Sequence, residues 1–177
     1  YKRQDSHCFS THVCVLRPES RGYISLKNLD PATPPIIQPN YFSTEYDRKT
    51  MIKAFKISRD IIFQKAFDDF RGKEINPGEN VQTDEQIEEF IRANAETIYH
   101  PVGTCKMGSD NMSVVDDKLR VHGLENLRVI DASIMPTLVG GNTNAPTVMI
   151  ADKISDHILG NEFLPPINVP NPLEQSA

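Results

Sequence analysis

Thirteen prolines and nine glycines interrupt the 177 residues of this chain, and where they fall constrains the fold before any other feature does. Proline lacks an amide hydrogen and has a fixed φ, whereas glycine is conformationally loose, so both tend to end regular elements. Much of the chain is therefore expected as loops and turns, with helices and strands confined to the stretches between. The longest such stretch, residues 45–70, carries Met51, Ala54, Phe55, Ile61, Ile62, Ala66 and Phe70 near a 3.6-residue period. It predicts a helix capped by Ser43 or Thr44 and ended by Gly72. Thr83 with Gln86 forms a capping-box pattern for a second helix to about residue 95, with Ile87, Phe90 and Ile91 facing in. A third helix is expected over residues 145–159, with Asn144 as its N-cap, Pro146 in its first turn and Gly160 closing it.

Between these helices the pattern is that of short strands. Residues 12–16 read as a buried strand, residues 17–22 as a turn, and residues 23–27 as the return strand of a hairpin. The proline-rich residues 31–39 are expected to run extended along the surface. Residues 127–131 read as a buried strand ending in the acid Asp131, and residues 161–177 as an extended tail. The chain shows no internal repeat.

Length suits one domain or two small lobes. The hydrophobic fraction of 38% and charged fraction of 24% are ordinary for a soluble protein. Net charge of −5 and a pI near 5.5 argue against nucleic acid as a partner, which would need clustered Lys and Arg. No apolar run approaches the ~20 residues of a transmembrane helix. A start at Tyr1-Lys2-Arg3, without an initiator Met or a signal-peptide core, fits a processed product or a piece of a longer protein. Cys8, Cys14 and Cys105 cannot all pair internally, which makes a disulfide framework improbable and leaves the compartment open.

Two runs carry the candidate chemistry. The first is Tyr99-His100-Pro101-Val102-Gly103-Thr104-Cys105-Lys106-Met107-Gly108, a histidine at the mouth of a turn. The second is Gly140-Gly141-Asn142-Thr143-Asn144-Ala145-Pro146-Thr147, a polar helix start. A lone histidine is more often structural than catalytic. In a shaped turn, however, neutral imidazole can take a proton from an alcohol, and Gly103 would admit a flat ligand close to the backbone. The helix start offers free amides and the positive dipole end, which attract negative charge, and Asn144 can hydrogen-bond a substrate oxygen. Asp131 is either a turn former or a ligand contact beyond a strand end.

Other readings fall away. Gly103 and Gly108 have phosphate-loop spacing, but Ser109 stands where the lysine is needed. No G-x-G-x-x-G occurs, so the chain has no dinucleotide fingerprint of its own. His7, Cys8, His12 and Cys14 are a weak metal candidate, so no metal is expected. Cys105 reads as a packing residue rather than a nucleophile.

The ordered runs at residues 99–108, 115–123, 127–136 and 141–153, with Ser20-Arg21-Gly22, Asp30-Pro31 and Pro39-Asn40-Tyr41 before them, closely resemble the C-terminal part of the glucose–methanol–choline oxidoreductases. These are flavoenzymes that oxidise alcohols, and the wording is most like animal glucose dehydrogenases and choline dehydrogenases. The resemblance covers nearly everything from about residue 18 to residue 159. It implies an α+β fold, a mostly antiparallel sheet backed by helices. Residues 1–122 would belong to the substrate lobe, residues 123–160 would return to the FAD lobe, and residues 161–177 would form the tail. His100 and Asn144 match the family's two active-site positions. Asp131, Ala132, Asn144, Ala145 and Pro146 match residues that contact FAD. The implied reaction is hydride transfer from an alcohol or sugar carbon to the flavin, with His100 accepting the hydroxyl proton and oxygen or a quinone as electron acceptor. The N-terminal lobe that holds the FAD diphosphate has no counterpart here and would be the chief partner of this chain, which alone would bind FAD weakly or not at all. Two rival readings remain: a non-catalytic relative that kept the fold, and a metal- or thiol-dependent enzyme using the cluster at residues 7–14 or Cys105.

Overall fold

A computed structural model describes residues 7–162 and 164–167. The remainder of the expected tail, residue 163 and residues 168–177, lies outside the described residues. The architecture is α+β: a small antiparallel strand pair and three helices, joined by long irregular segments. Strands β1 (Tyr23–Ser25) and β2 (Ile36–Gln38) pair with Ile24 opposite Ile37. Helices α1 (Glu45–Ile62), α2 (Asp84–Asn94) and α3 (Asn144–Leu159) follow.

The sheet is smaller than the sequence pattern predicts. Residues 12–16 form no strand and end in a bend at Leu16, and β1 takes its partner from the proline-rich stretch instead. The two segments come close at Gly22. Gly22 carries no side chain, and a Cβ there would sit on the carbonyl of Gln38 and 2.6 Å from that of Pro39. Residues 127–131 likewise form no strand; they make a single antiparallel bridge, Arg120 to Arg128.

Helix α1 begins where expected, with the Thr44 hydroxyl accepting from the Asp47 amide. It stops at Ile62 rather than near residue 70, and a 3₁₀ turn over Lys65–Phe67 follows. Gln64 is extended (φ −65°, ψ 145°), which breaks the helical ladder. The Arg71 guanidinium donates to the Ile62 carbonyl at 2.9 Å and to Asp68 at 2.5 Å, holding the chain that folds back. The capping box of α2 is complete: the Thr83 hydroxyl accepts from the Gln86 amide, and the Gln86 side chain accepts from the Thr83 amide. Helices α1 and α2 pack through buried Ile87 and Ile91 and an edge-on contact between Phe55 and Phe90, centroids 5.9 Å apart. Above Phe55, the Arg59 guanidinium grips Glu74 through two nitrogens and the Val81 carbonyl.

A second core gathers Val115, Leu119, Ile134 and Ile154, with Met107, Val121, Val129 and Ile150 packed against it. It draws on both sides of residue 122 and fixes α3 to the loops that precede it. Around it, much of the apolar surface stands open. Leu26, Leu29 and Phe70 are among the large exposed side chains.

Candidate functional site

The His100 turn is shaped by backbone before side chains enter. Tyr99 is in the left-handed region (φ 63°), uncommon for a bulky residue and worth of order 1–3 kcal/mol in strain. Its amide donates to the Thr97 hydroxyl at 3.0 Å, which helps hold that conformation. Beyond the turn the chain is pinned to the 3₁₀ turn Ala132–Ile134: Cys105 N–H donates to the Ser133 carbonyl and Met107 N–H to the Ile134 carbonyl. Gly103 lies against the Met135 carbonyl, 3.3 Å from where a Cβ would be, so its open side faces this chain rather than a ligand.

His100 is half-buried, and its Nδ1 stands 3.1 Å from the Tyr99 carbonyl and 3.3 Å from the Thr143 hydroxyl. A carbonyl oxygen only accepts, so Nδ1 carries a proton, and in the neutral ring Nε2 keeps its lone pair. Nε2 has no hydrogen-bond partner among the described residues. His122 differs: its Nε2 is engaged by the Gly108 carbonyl at 3.0 Å.

Asn144 is the first residue of α3 rather than its N-cap. Thr143 takes that place because it is already near-helical (φ −87°, ψ −10°), and its carbonyl accepts both the amide and the hydroxyl of Thr147. Asn144 and Ala145 are exposed and Pro146 is half-buried. The amides of Asn144 and Ala145 precede the first intrahelical acceptor, so the helix itself does not use them. Asp131 is exposed, and one of its carboxylate oxygens accepts from the Ser133 amide at 2.7 Å, capping the 3₁₀ turn in which Ala132 sits half-buried.

The fold thus brings His100 against the residue before Asn144. It carries Asp131 and Ala132 on the segment pinned beside the His100 turn. Two residues were not singled out from sequence. Thr143 touches the imidazole directly. Arg17 lays its guanidinium on Gly140, 3.0 to 3.3 Å from where a Cβ would stand, just before the α3 start. No group of three His, Cys, Asp or Glu side chains that could hold a metal ion gathers among the described residues. No described helix is long and apolar enough to cross a membrane.

Comparison with known proteins bears on the family and the fold. A family described as GMC oxidoreductase matches residues 18–151. The chain is 55% identical over 161 residues to an oxygen-dependent choline dehydrogenase of Cronobacter sakazakii, covering 91% of this chain and 29% of that protein. The chain thus spans under a third of the length of the curated relatives it matches. Its fold superposes on a pyridoxine 4-oxidase from Mesorbium loti with a TM-score of 0.77 at 34% identity, over 84% of this chain and 29% of that one. An FAD-dependent oxidoreductase from Chaetomium thermophilum gives 0.76 at 28% identity, over 82% and 25%.

Proposed function

This chain belongs to the glucose–methanol–choline oxidoreductase family, and we propose that it is the C-terminal catalytic portion of an FAD-dependent enzyme that oxidises an alcohol of the choline class. His100 is the general base. The observation that carries this reading is the imidazole itself: Nδ1 is tied to Tyr99 and Thr143 at the α3 start, and Nε2 is left open.

The residues at the α3 start fit a flavin edge. Asn144 and Ala145 are exposed, their amides are not used by the helix, and the helix end carries roughly half a positive charge. Asn144, Ala145 and Pro146, with Asp131 and Ala132 on the neighbouring turn, would hold the cofactor. When bound, FAD would supply the two-electron acceptor for the alcohol carbon, with oxygen or a quinone as the final acceptor. The chain's own work is done with protons and orientation. The substrate hydroxyl donates to Nε2 of His100, which takes its proton as the alcohol is oxidised. The Asn144 side-chain amide donates to the same oxygen and stabilises the developing alkoxide.

The wide apolar surface, with Leu26, Leu29 and Phe70 exposed, suits a chain covered by further protein. We assign that cover to an N-terminal FAD lobe, with residues 1–122 in the substrate lobe and residues 123–160 returning to the FAD lobe. The test is His100→Ala in the full-length protein. Turnover should fall by about 10²–10⁴ while flavin stays bound. Undiminished alcohol oxidation would remove His100 from the role.

A further inference from the structure

All three α-helices among the described residues start on a threonine, and comparing the three isolates one of them. At α1 the Thr44 hydroxyl accepts from the Asp47 amide, three residues on. At α2 the Thr83 hydroxyl accepts from the Gln86 amide, again three residues on. Both threonines are extended, at ψ 151° and ψ 161°. This is the ordinary use of an N-cap hydroxyl.

At α3 the same position in the turn is Pro146, which has no amide hydrogen to give. Thr143 accordingly makes no side-chain cap bond and is near-helical instead, with ψ −10°. Its hydroxyl, released from capping, lies 3.3 Å from Nδ1 of His100. Thr143 is itself held from behind, since its carbonyl accepts the Thr147 hydroxyl at 2.6 Å and the Thr147 amide at 3.0 Å.

We propose that Thr143 is a positioning residue for His100: freed from helix capping by Pro146, its hydroxyl accepts from Nδ1–H and so presents Nε2 as the base. The neutral ring has one N–H to donate. The Tyr99 carbonyl and the Thr143 hydroxyl share it, fixing both the tautomer and the ring plane. The Tyr99 carbonyl belongs to the adjacent residue and moves with the turn. Thr143 is the partner that ties the ring to α3, and therefore to Asn144. This inference rests on His100 acting as the base.

The experiment is steady-state kinetics on the full-length, flavin-loaded protein. Thr143→Val keeps the shape and removes the hydroxyl. We expect kcat to fall about tenfold, with KM within about twofold and flavin content unchanged, as for loss of an interaction used in the transition state. Thr143→Ser restores the hydroxyl and should return kcat to within about threefold of the parent. In a His100→Ala background, Thr143→Val should cost nothing further, because its only route to the chemistry has gone. Parental kcat in Thr143→Val, an equal loss in Thr143→Ser, or a renewed tenfold loss without His100 would each overturn the proposal. If the valine variant fails to retain flavin, the Ala and Ser variants replace it. A gap of about tenfold between them supports the hydroxyl, and equality refutes it. A loss in His100→Ala beside a normal Thr143→Val sinks this inference alone, whereas a normal His100→Ala sinks the base reading with it.

Discussion

Asp47 is a buried carboxylate whose removal should loosen the front of this fold, and its size of effect can be worked from contacts. It is 3% exposed. One oxygen accepts from the Glu19 amide and the other from the Ser20 amide, each at 2.9 Å. Ser20 reciprocates, its hydroxyl accepting from Ser43 at 3.1 Å and Thr44 at 3.4 Å, at the start of the same helix. The turn leading into β1 is thereby laced to α1. Hydrogen bonds to a charged group contribute about 1.5–3 kcal/mol each, so two contribute about 3–6. Removing the buried carboxylate also relieves its desolvation, which offsets part of that sum. We expect Asp47→Ala to cost about 2–4 kcal/mol. With an m-value near 2 kcal/mol/M, the urea midpoint of the unit containing this turn falls by about 1–2 M. Asp47→Asn should recover less than half, since its carbonyl serves one amide and its NH₂ opposes the other. Burial raises the Asp47 pKa, but the hydrogen bonds from Ser20, Glu19 and Thr44 outweigh it, and the net direction is down from 3.8. The sign follows: this stabilisation is complete above 3.8 and is lost as pH falls through the folded value. The gap between parent and Asp47→Ala should therefore narrow in strong acid. Midpoints within about 0.3 M of each other at neutral pH, or a gap that widens in acid, would refute the account.

Other perturbations separate positions that look alike in the sequence. Gly22→Ala drives a Cβ onto the Gln38 and Pro39 carbonyls, which are backbone and cannot step aside, so it should destabilise by about 1–3 kcal/mol in a denaturation series. Gly140→Ala meets only the end of the Arg17 side chain at 3.0 Å, which can swing away, so the same measurement should move by less than about 0.5 kcal/mol. The turns around the second core should fail in acid. Hydrogen bonding from Lys106 holds the Asp110 pKa at about 2. Asp116 also sits at about 2, because bonds from Arg120 and Lys118 overcome its desolvation. Both contributions are complete above 3.8 and vanish as pH falls towards 2, so amide protection of Met112, Lys118 and Arg120 should drop over that interval and remain flat above pH 5.

What could be read from the sequence, and what could not, divides by the range of the interaction that decides each feature. Caps are local. Thr44 and Thr83 meet amides three residues away, so the starts of α1 and α2 are visible in the letters alone. The end of α1 is not local. The apolar period runs on past Ile62, but Arg71 donating back to the Ile62 carbonyl takes the chain out of line. Strand partners are also decided at a distance. Residues 12–16 have the apolar run of a strand, yet β1 pairs with Ile36–Gln38, a segment that its prolines had marked as mere linker. The candidate site follows the same division. His100 and Asn144 stand out because each lies in an unusual local run, and the cap lies one residue before Asn144, at Thr143. Thr143 stayed hidden because a threonine at a helix start is ordinarily explained by the helix. The clue was the proline three residues on: it removes the one donor such a hydroxyl usually serves, and an unspent hydroxyl beside a helix start then needs another partner. In this fold that partner is the imidazole of His100.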